Sequence, residues 1–337
     1  MTPRKSFRGP GSGWSPPTYT VADDLKVTGG YVPQGVNNWG RWGPDDQLGT
    51  LNFIGDEQVR YATTLPKRGK VISLALPIEE SAPRHPSRAP AKHYVTVSGT
   101  DAVSDNPIWL TDFVYTDDGF DMATHGTTHW DALAHVIIDH TMYNGFWAGA
   151  TSGSGAEVLA IGNHSATFAG RGVLLDIARH QGVPWLEPTT ILTPDLLDAV
   201  AEAQGLELRS GDIVLLRTGA MKRWWTLENA EQRLDWFSAS PGPGLACVDW
   251  YHRNEVAASA ADNFSFEAIP GESPETKMFP VHQPLIVDLG MPIGELWVLD
   301  ELAEACEQDQ SWEFLLIAPP LNLPRALGSP LNPIVLK

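Results

Sequence analysis

Four side chains able to ligate a metal fall within eleven consecutive residues. They are His125, His129, Asp131 and His135, in the stretch Thr124–Val136, THGTTHWDALAHV. The whole chain holds ten histidines, so three of ten sit in this one window. Neutral imidazole nitrogen and carboxylate oxygen are the donors that Zn²⁺ or Mn²⁺ takes. Three protein ligands with one position left open is the pattern of a catalytic rather than a structural metal site. The bland alternative is three unrelated histidines satisfied by water in a polar loop, and the density of H-x3-H-x-D-x3-H argues against it.

Regular structure does not bring these groups together. On a helix, at 100° per residue, His125 and His129 lie about 40° apart, but Asp131 lies roughly 160° from His129. On a strand all four positions share a face, yet the first and last are roughly 33 Å apart. Convergence requires a strand end that turns sharply. Gly126 is placed to allow that turn, with WDALAHV coiling back beneath it.

The elements that must hold such a site read as one α/β domain. A helix is expected over Asp56–Leu65 and strands over Lys70–Leu76, Gly172–Ala178 and Asp212–Thr218. Thr193 and Pro194 open a helix, as N-cap hydroxyl and N1 proline, that runs to Gly205. Further on come a helical VDWYHRNEV, a short AASA, a possible helix near LIVDLGM, a helix around LDELAEACEQ and the apolar WEFLLIA. Strands and helices alternate without an internal repeat. Residues 1–36 lack periodicity and are predicted to form an extended arm, either disordered or laid over another surface, before a domain spanning 37–337. Ser81–His93, SAPRHPSRAPAKH, is a proline-punctuated basic loop that either folds over a site or is simply solvated.

Composition excludes several functions. With 23 basic and 41 acidic residues the net charge is −18, so nucleic acid is not an expected partner. No apolar run follows the basic N-terminus and none approaches the length of a membrane span, so no membrane partner and a cytoplasmic location are expected. Cys247 and Cys306 are far apart and read as buried small hydrophobes in a reducing compartment. No GxGxxG, GxxxxGK[ST] or GxSxG is present, which leaves nucleotide binding and a serine nucleophile without support.

The histidine segment resembles the HxGTHxDxPxH motif of the metal-dependent cyclase-type hydrolases, which include bacterial kynurenine formamidases and isatin hydrolases. The resemblance extends from about Trp39 onward through WGRWGPDDQLGTLN, AHVIIDHTMYNG, RGVLLDIAR, GDIVLLRTG, SAADNFSFEAIP and GSPLNP. It departs at Thr127, where the motif has Gly, at Leu133, where it has Pro, and at His140, which replaces a usual Gly. The resemblance implies a single domain of the swivelling β/β/α type with a mixed sheet, forming homodimers or homotetramers. It implies that His125, His129 and Asp131 ligate Zn²⁺ or Mn²⁺, one or two ions per chain, with His282 and Glu295 completing the set and His135 as catalytic acid/base. Taken alone, His282 would pass as a satisfied histidine at a helix start and Glu295 as an exposed carboxylate. The implied reaction is hydrolysis of a small amide, formamide, lactam or lactone by a metal-activated water. A metal-binding protein without turnover is the alternative, and a carbohydrate- or peptide-binding module using the thirteen tryptophans is a third. Trp130, Phe146 and Trp147 flank the ligands and either wall a pocket for an aromatic substrate or pack the core.

Overall fold

The computed structural model describes residues 18–104, 113, 115–272 and 279–337. A nine-stranded mixed sheet forms its centre, and its strands are numbered here in chain order. They are β1 (Val71–Ser73), β2 (His129–Asp131), β3 (Ala169–Asp176), β4 (Ile213–Arg217), β5 (Ala258–Ala261), β6 (Ile293–Glu295), β7 (Glu313–Ile317), β8 (Gly328–Pro330) and β9 (Ile334–Leu336). Their order across the sheet is β8-β2-β6-β5-β4-β3-β7-β9-β1. The inner strands β3, β4, β5 and β6 run parallel. Antiparallel strands flank them on both sides. The chain is thus a single α/β domain, as its alternating pattern predicts.

The inner strands read as continuous apolar runs because both of their faces are covered. Every residue of β4 is buried. Val214 and Leu216 pack on one side with Leu197, Val200, Trp250 and Tyr251. Ile213 and Leu215 pack on the other with Trp130, Trp297, Leu302 and Phe314.

The covering helices start and stop where the sequence signals them. Pro194–Ala203 is capped by the Thr193 hydroxyl, which accepts from the Leu196 N–H at 3.3 Å, and the chain leaves through Gly205 at φ +63°. Cys247–Arg253 and Asp300–Asp309 form at the expected places. The helix expected near LIVDLGM takes a wider form, a π-helical turn over Gln283–Asp288. Pro284 has no N–H to donate, and Leu289 N–H reaches back five residues to its carbonyl at 2.9 Å. Both cysteines are free and buried.

Residues 18–36 lie over the body as an extended arm, while residues 1–17 of the predicted arm fall outside the described residues. Thr20–Val21 pairs with Val27–Thr28. The Lys26 ammonium sits 3.2 Å from the centre of the Phe146 ring and donates to the Asn144 carbonyl at 2.9 Å. Tyr31 donates its hydroxyl to Asp288 Oδ2 at 3.1 Å. His140 occupies a left-handed backbone position, φ +66°, where glycine is favoured. Its ring rests against Tyr19 of the arm, 4.6 Å between centroids. Among the described residues no helix is long and apolar enough to cross a membrane.

Trp130 ties the core to strand β2. Its ring is fully buried, stacked on Phe168 at 4.6 Å, and its indole N–H donates to the Ala318 carbonyl at 2.9 Å. Trp130→Ala is expected to lower unfolding free energy by about 3–5 kcal/mol, measured by urea denaturation. A loss below about 1 kcal/mol would mean that β2 is not anchored through this ring.

Candidate metal centre

Strand alternation decides which side chains of β2 face the site. Trp130 points into the core, so His129 and Asp131 point to the opposite face. Antiparallel pairing places Glu295 of β6 directly across from His129, on that same face. On the other side, β8 sets Gly328 across from Asp131. A Cβ at residue 328 would stand 2.3 Å from His125 Nε2, so this glycine makes room for the imidazole.

The expected turn lies just upstream. Gly126 N–H donates to the Ala123 carbonyl at 2.9 Å and closes a tight turn that delivers His125. Gly126 serves it through lack of bulk, since a Cβ there would come 3.0 Å from Ala123 O and its φ is not left-handed. Downstream, His135 N–H donates to Ala132 O at 2.9 Å and folds the chain back. The His125 and His135 rings then stack, 4.3 Å between centroids. His282 arrives from the residue preceding the π-helical turn.

The structure brings all six predicted residues to one cavity of about 390 Å³. His125 Nε2 is 3.3 Å from Asp131 Oδ1, and His129 Nε2 is 3.5 Å from the same oxygen. His129 Nε2 is 3.4 Å from Glu295 Oε2, and His282 Nε2 is 3.3 Å from Glu295 Oε1. Asp131 Oδ2 faces His282 Nε2 at 3.9 Å. Two sets of donor atoms, His125–Asp131–His135 and Asp131–His282–Glu295, each lie within 4.8 Å of one another and share Asp131. His135 therefore belongs to one of the two candidate donor sets.

These separations fit a cation. Two donors bound about 2.0–2.1 Å from a tetrahedral metal are about 3.4 Å apart. His125 Nε2 and Asp131 Oδ1 are buried without a hydrogen-bond partner, as donors awaiting an ion would be. The tautomers agree. His129 Nδ1 lies 2.7 Å from the Thr127 carbonyl, which can only accept, so Nδ1 carries a proton and Nε2 is the nitrogen turned to the site. His282 Nδ1 likewise donates to Glu267 Oε1, which is the carboxylate–histidine arrangement that orients a metal ligand.

Proton affinities follow the same contacts. Desolvation pulls His125 down to about 3, against the opposing pull of Asp131. Desolvation also acts downward on His129 and His282. In His129 the nearby carboxylates of Asp131 and Glu295 outweigh it, and in His282 those of Glu267 and Glu295, raising each to about 10. Burial alone would raise Asp131 and Glu295. The imidazoles around them hold both carboxyls below their ordinary range.

Sequence reading missed Glu267. It is fully buried and accepts from Val281 N–H at 2.8 Å, His282 N–H at 2.7 Å and the His282 ring. A charged residue between Phe266 and Ala268 was its signal. The cavity's aromatic side chains are Phe264 and Phe279. Trp130 and Phe146 are in the core instead, and the half-buried Trp147 approaches Tyr19, its indole nitrogen 3.4 Å from the hydroxyl. The Ser81–His93 loop folds over the site and lends His85, Ser87 and Arg88 to the wall.

The family model described as "Putative cyclase" matches residues 72–268, more than half of the chain. The chain belongs to this cyclase family. A crystal structure described as a novel cyclase superposes with TM-score 0.84 at 39% identity, covering 90% of this chain and 100% of that one. Isatin hydrolase A from Labrenzia aggregata, solved with benzyl benzoate, matches with TM-score 0.57 at 19% identity over 79% of this chain and 93% of its own. An isatin hydrolase bound to the product analogue thioisatinate matches with TM-score 0.56 at 20% identity over 80% and 92%. The two isatin hydrolases share the fold of this cyclase. A comparison with curated proteins finds no match.

Glu267 gives a test of the centre. Both of its oxygens accept from N–H groups, so Glu267→Gln must turn an NH₂ toward a donor. Metal affinity is expected to fall about 10–100-fold, read by competition with a chromogenic chelator. Unchanged affinity would detach Glu267 from the site.

Proposed function

We propose that this cyclase-family protein is a metal-dependent hydrolase that opens the C–N or C–O bond of a small amide, formamide, lactam or lactone. The observation that carries the reading is the pair of orphaned donors, His125 Nε2 and Asp131 Oδ1, in a cavity ringed by further ligand groups. The isatin hydrolases of the same fold support it, one of them holding a product analogue.

His125, His129, Asp131, His282 and Glu295 would hold one or two Zn²⁺ or Mn²⁺ ions. Bound there, the metal would acidify a water from about 15.7 toward 7 and polarise the substrate carbonyl. The chain's own groups do the rest. The Thr127 carbonyl and Glu267 fix the imidazoles of His129 and His282 with Nε2 forward. His135, partly exposed at the cavity wall, takes the proton of the attacking water and returns it to the leaving nitrogen or oxygen. Phe264 and Phe279 wall the apolar side for an aromatic body. A non-catalytic metal protein would need neither His135 nor so large an open cavity. Further copies of the chain, as a dimer or tetramer, are its proposed partners.

A panel of formanilides, cyclic imides, isatin-like lactams and small lactones should contain at least one compound opened by the metal-loaded protein. Chelation should abolish that turnover. His129→Ala should lose metal and activity together, by elemental analysis and rate assay. His135→Ala should keep the metal and lose about 10²–10⁴-fold in kcat. A His135→Ala protein emptied of metal would make His135 a ligand, as its place beside His125 and Asp131 also allows. Turnover that survives full metal removal would sink the mechanism.

A further inference from the structure

The wall opposite the ligand groups comes from the Ser81–His93 loop, and it carries a guanidinium, Arg88. The chain has 41 acidic residues against 23 basic ones, so cations find partners easily. Among the described residues Arg60, Arg84, Arg88, Arg209, Arg223 and Arg233 have no carboxylate within 4.0 Å, and of these Arg88 lines the cavity that holds the ligand groups. Asp131 and Glu295 share its cavity, but neither lies within 4.0 Å of the Arg88 guanidinium, and imidazole nitrogens stand nearer to both carboxylates.

The loop is held in place. Ala82 and Pro83 are buried, and the Trp224 indole N–H donates to the Ser81 carbonyl at 3.1 Å. Arg88 N–H donates to the His85 carbonyl at 2.9 Å, and Arg84 Nε donates to the Arg88 carbonyl at 3.1 Å. The His85 ring packs edge-on against Phe237, 5.6 Å between centroids. Arg88 is half-buried and lines the cavity.

Charge counting gives the consequence. Asp131, Glu267 and Glu295 bring three carboxylates, so one divalent ion together with Arg88 balances the site and two ions with Arg88 leave it positive. The Arg88 charge has no carboxylate within 4.0 Å and stands beside the apolar faces of Phe264 and Phe279.

Resting on the hydrolase reading above, we propose that Arg88 selects substrates with an aromatic body and an anionic group, a carboxylate, remote from the bond that is cleaved. The metal side takes the scissile carbonyl, the phenyl side chains take the ring and Arg88 takes the second, charged end. A charge-assisted contact of this kind distinguishes charged from uncharged ligands by roughly 10–100-fold.

The test uses the metal-loaded full chain and two probes, isophthalate and its monomethyl ester, which differ only in the second carboxylate. Isothermal titration should show isophthalate bound at least about tenfold more tightly. Arg88→Gln, with metal content unchanged, should bring the two within about threefold while leaving the monoester nearly unaffected. Arg88→Lys should keep part of the preference. Equal affinities for the native protein, or a preference that survives Arg88→Gln, would overturn the proposal. Because binding is read without turnover, a protein that distinguishes the probes but hydrolyses nothing loses the hydrolase reading and keeps the Arg88 assignment.

Discussion

The antiparallel pairing of His129 with Glu295, across two three-residue strands, is the constraint on which the centre depends. Side chains alternate strictly along a strand, so a slip of one residue would turn His129 and Asp131 into the core and push the Trp130 ring into the cavity. Packing on the far face forbids that slip. Trp130 lies between Phe168 and Trp297, at 4.6 and 4.8 Å between centroids, and nothing in that layer could receive an imidazole in its place. The apolar core thus sets the register, and the register sets the distances between ligand atoms.

Gathering three carboxylates around the buried histidines His125, His129 and His282 is unfavourable unless each is answered. Glu267 is answered entirely by N–H donors of Val281 and His282, which removes it from the donor set. Asp131 is treated differently, with one oxygen left unpartnered beside an equally unpartnered His125 nitrogen. An unsatisfied buried group costs about 1–3 kcal/mol, and here the two are 3.3 Å apart. That difference between neighbouring carboxylates separates a group that orients from a group that binds.

How much of this was legible in the sequence depended on distance along the chain. The window from His125 to His135 declared itself through residue type and spacing, and the failure of both helix and strand geometry pointed to a turn near Gly126. The inner strands and the Thr193-capped helix were legible because burial on both faces and capping chemistry leave local marks. His282 and Glu295 could not be reached by spacing, only by resemblance, because long-range strand order places them beside His129. Glu267, Gly328 and Arg88 act through neighbours far away in the chain. A glycine that clears space for His125 from across a strand pair looks, in sequence, like any turn glycine. Trp130 and Phe146 show the converse, for proximity in sequence to a ligand did not mean proximity to the cavity.

The site sits at the antiparallel end of the sheet for a physical reason. Parallel strands β3, β4 and β5 are covered on both faces and have no side to give to polar chemistry. Where β2 and β8 join antiparallel at the edge, one face can pack while the other opens. Of the candidate ligands, His129, Asp131 and Glu295 ride on short strands fixed by the core, while His125 and His282 sit in adjoining turns. The opposite wall comes from segments that carry none of the strand-borne ligands: the Ser81–His93 loop, Val136–Ile137, and the stretch around Phe279. Ligand geometry and substrate shape are therefore encoded in different parts of the chain. Loops can change without disturbing the strand register, so selectivity is to be read from the wall rather than from the histidines.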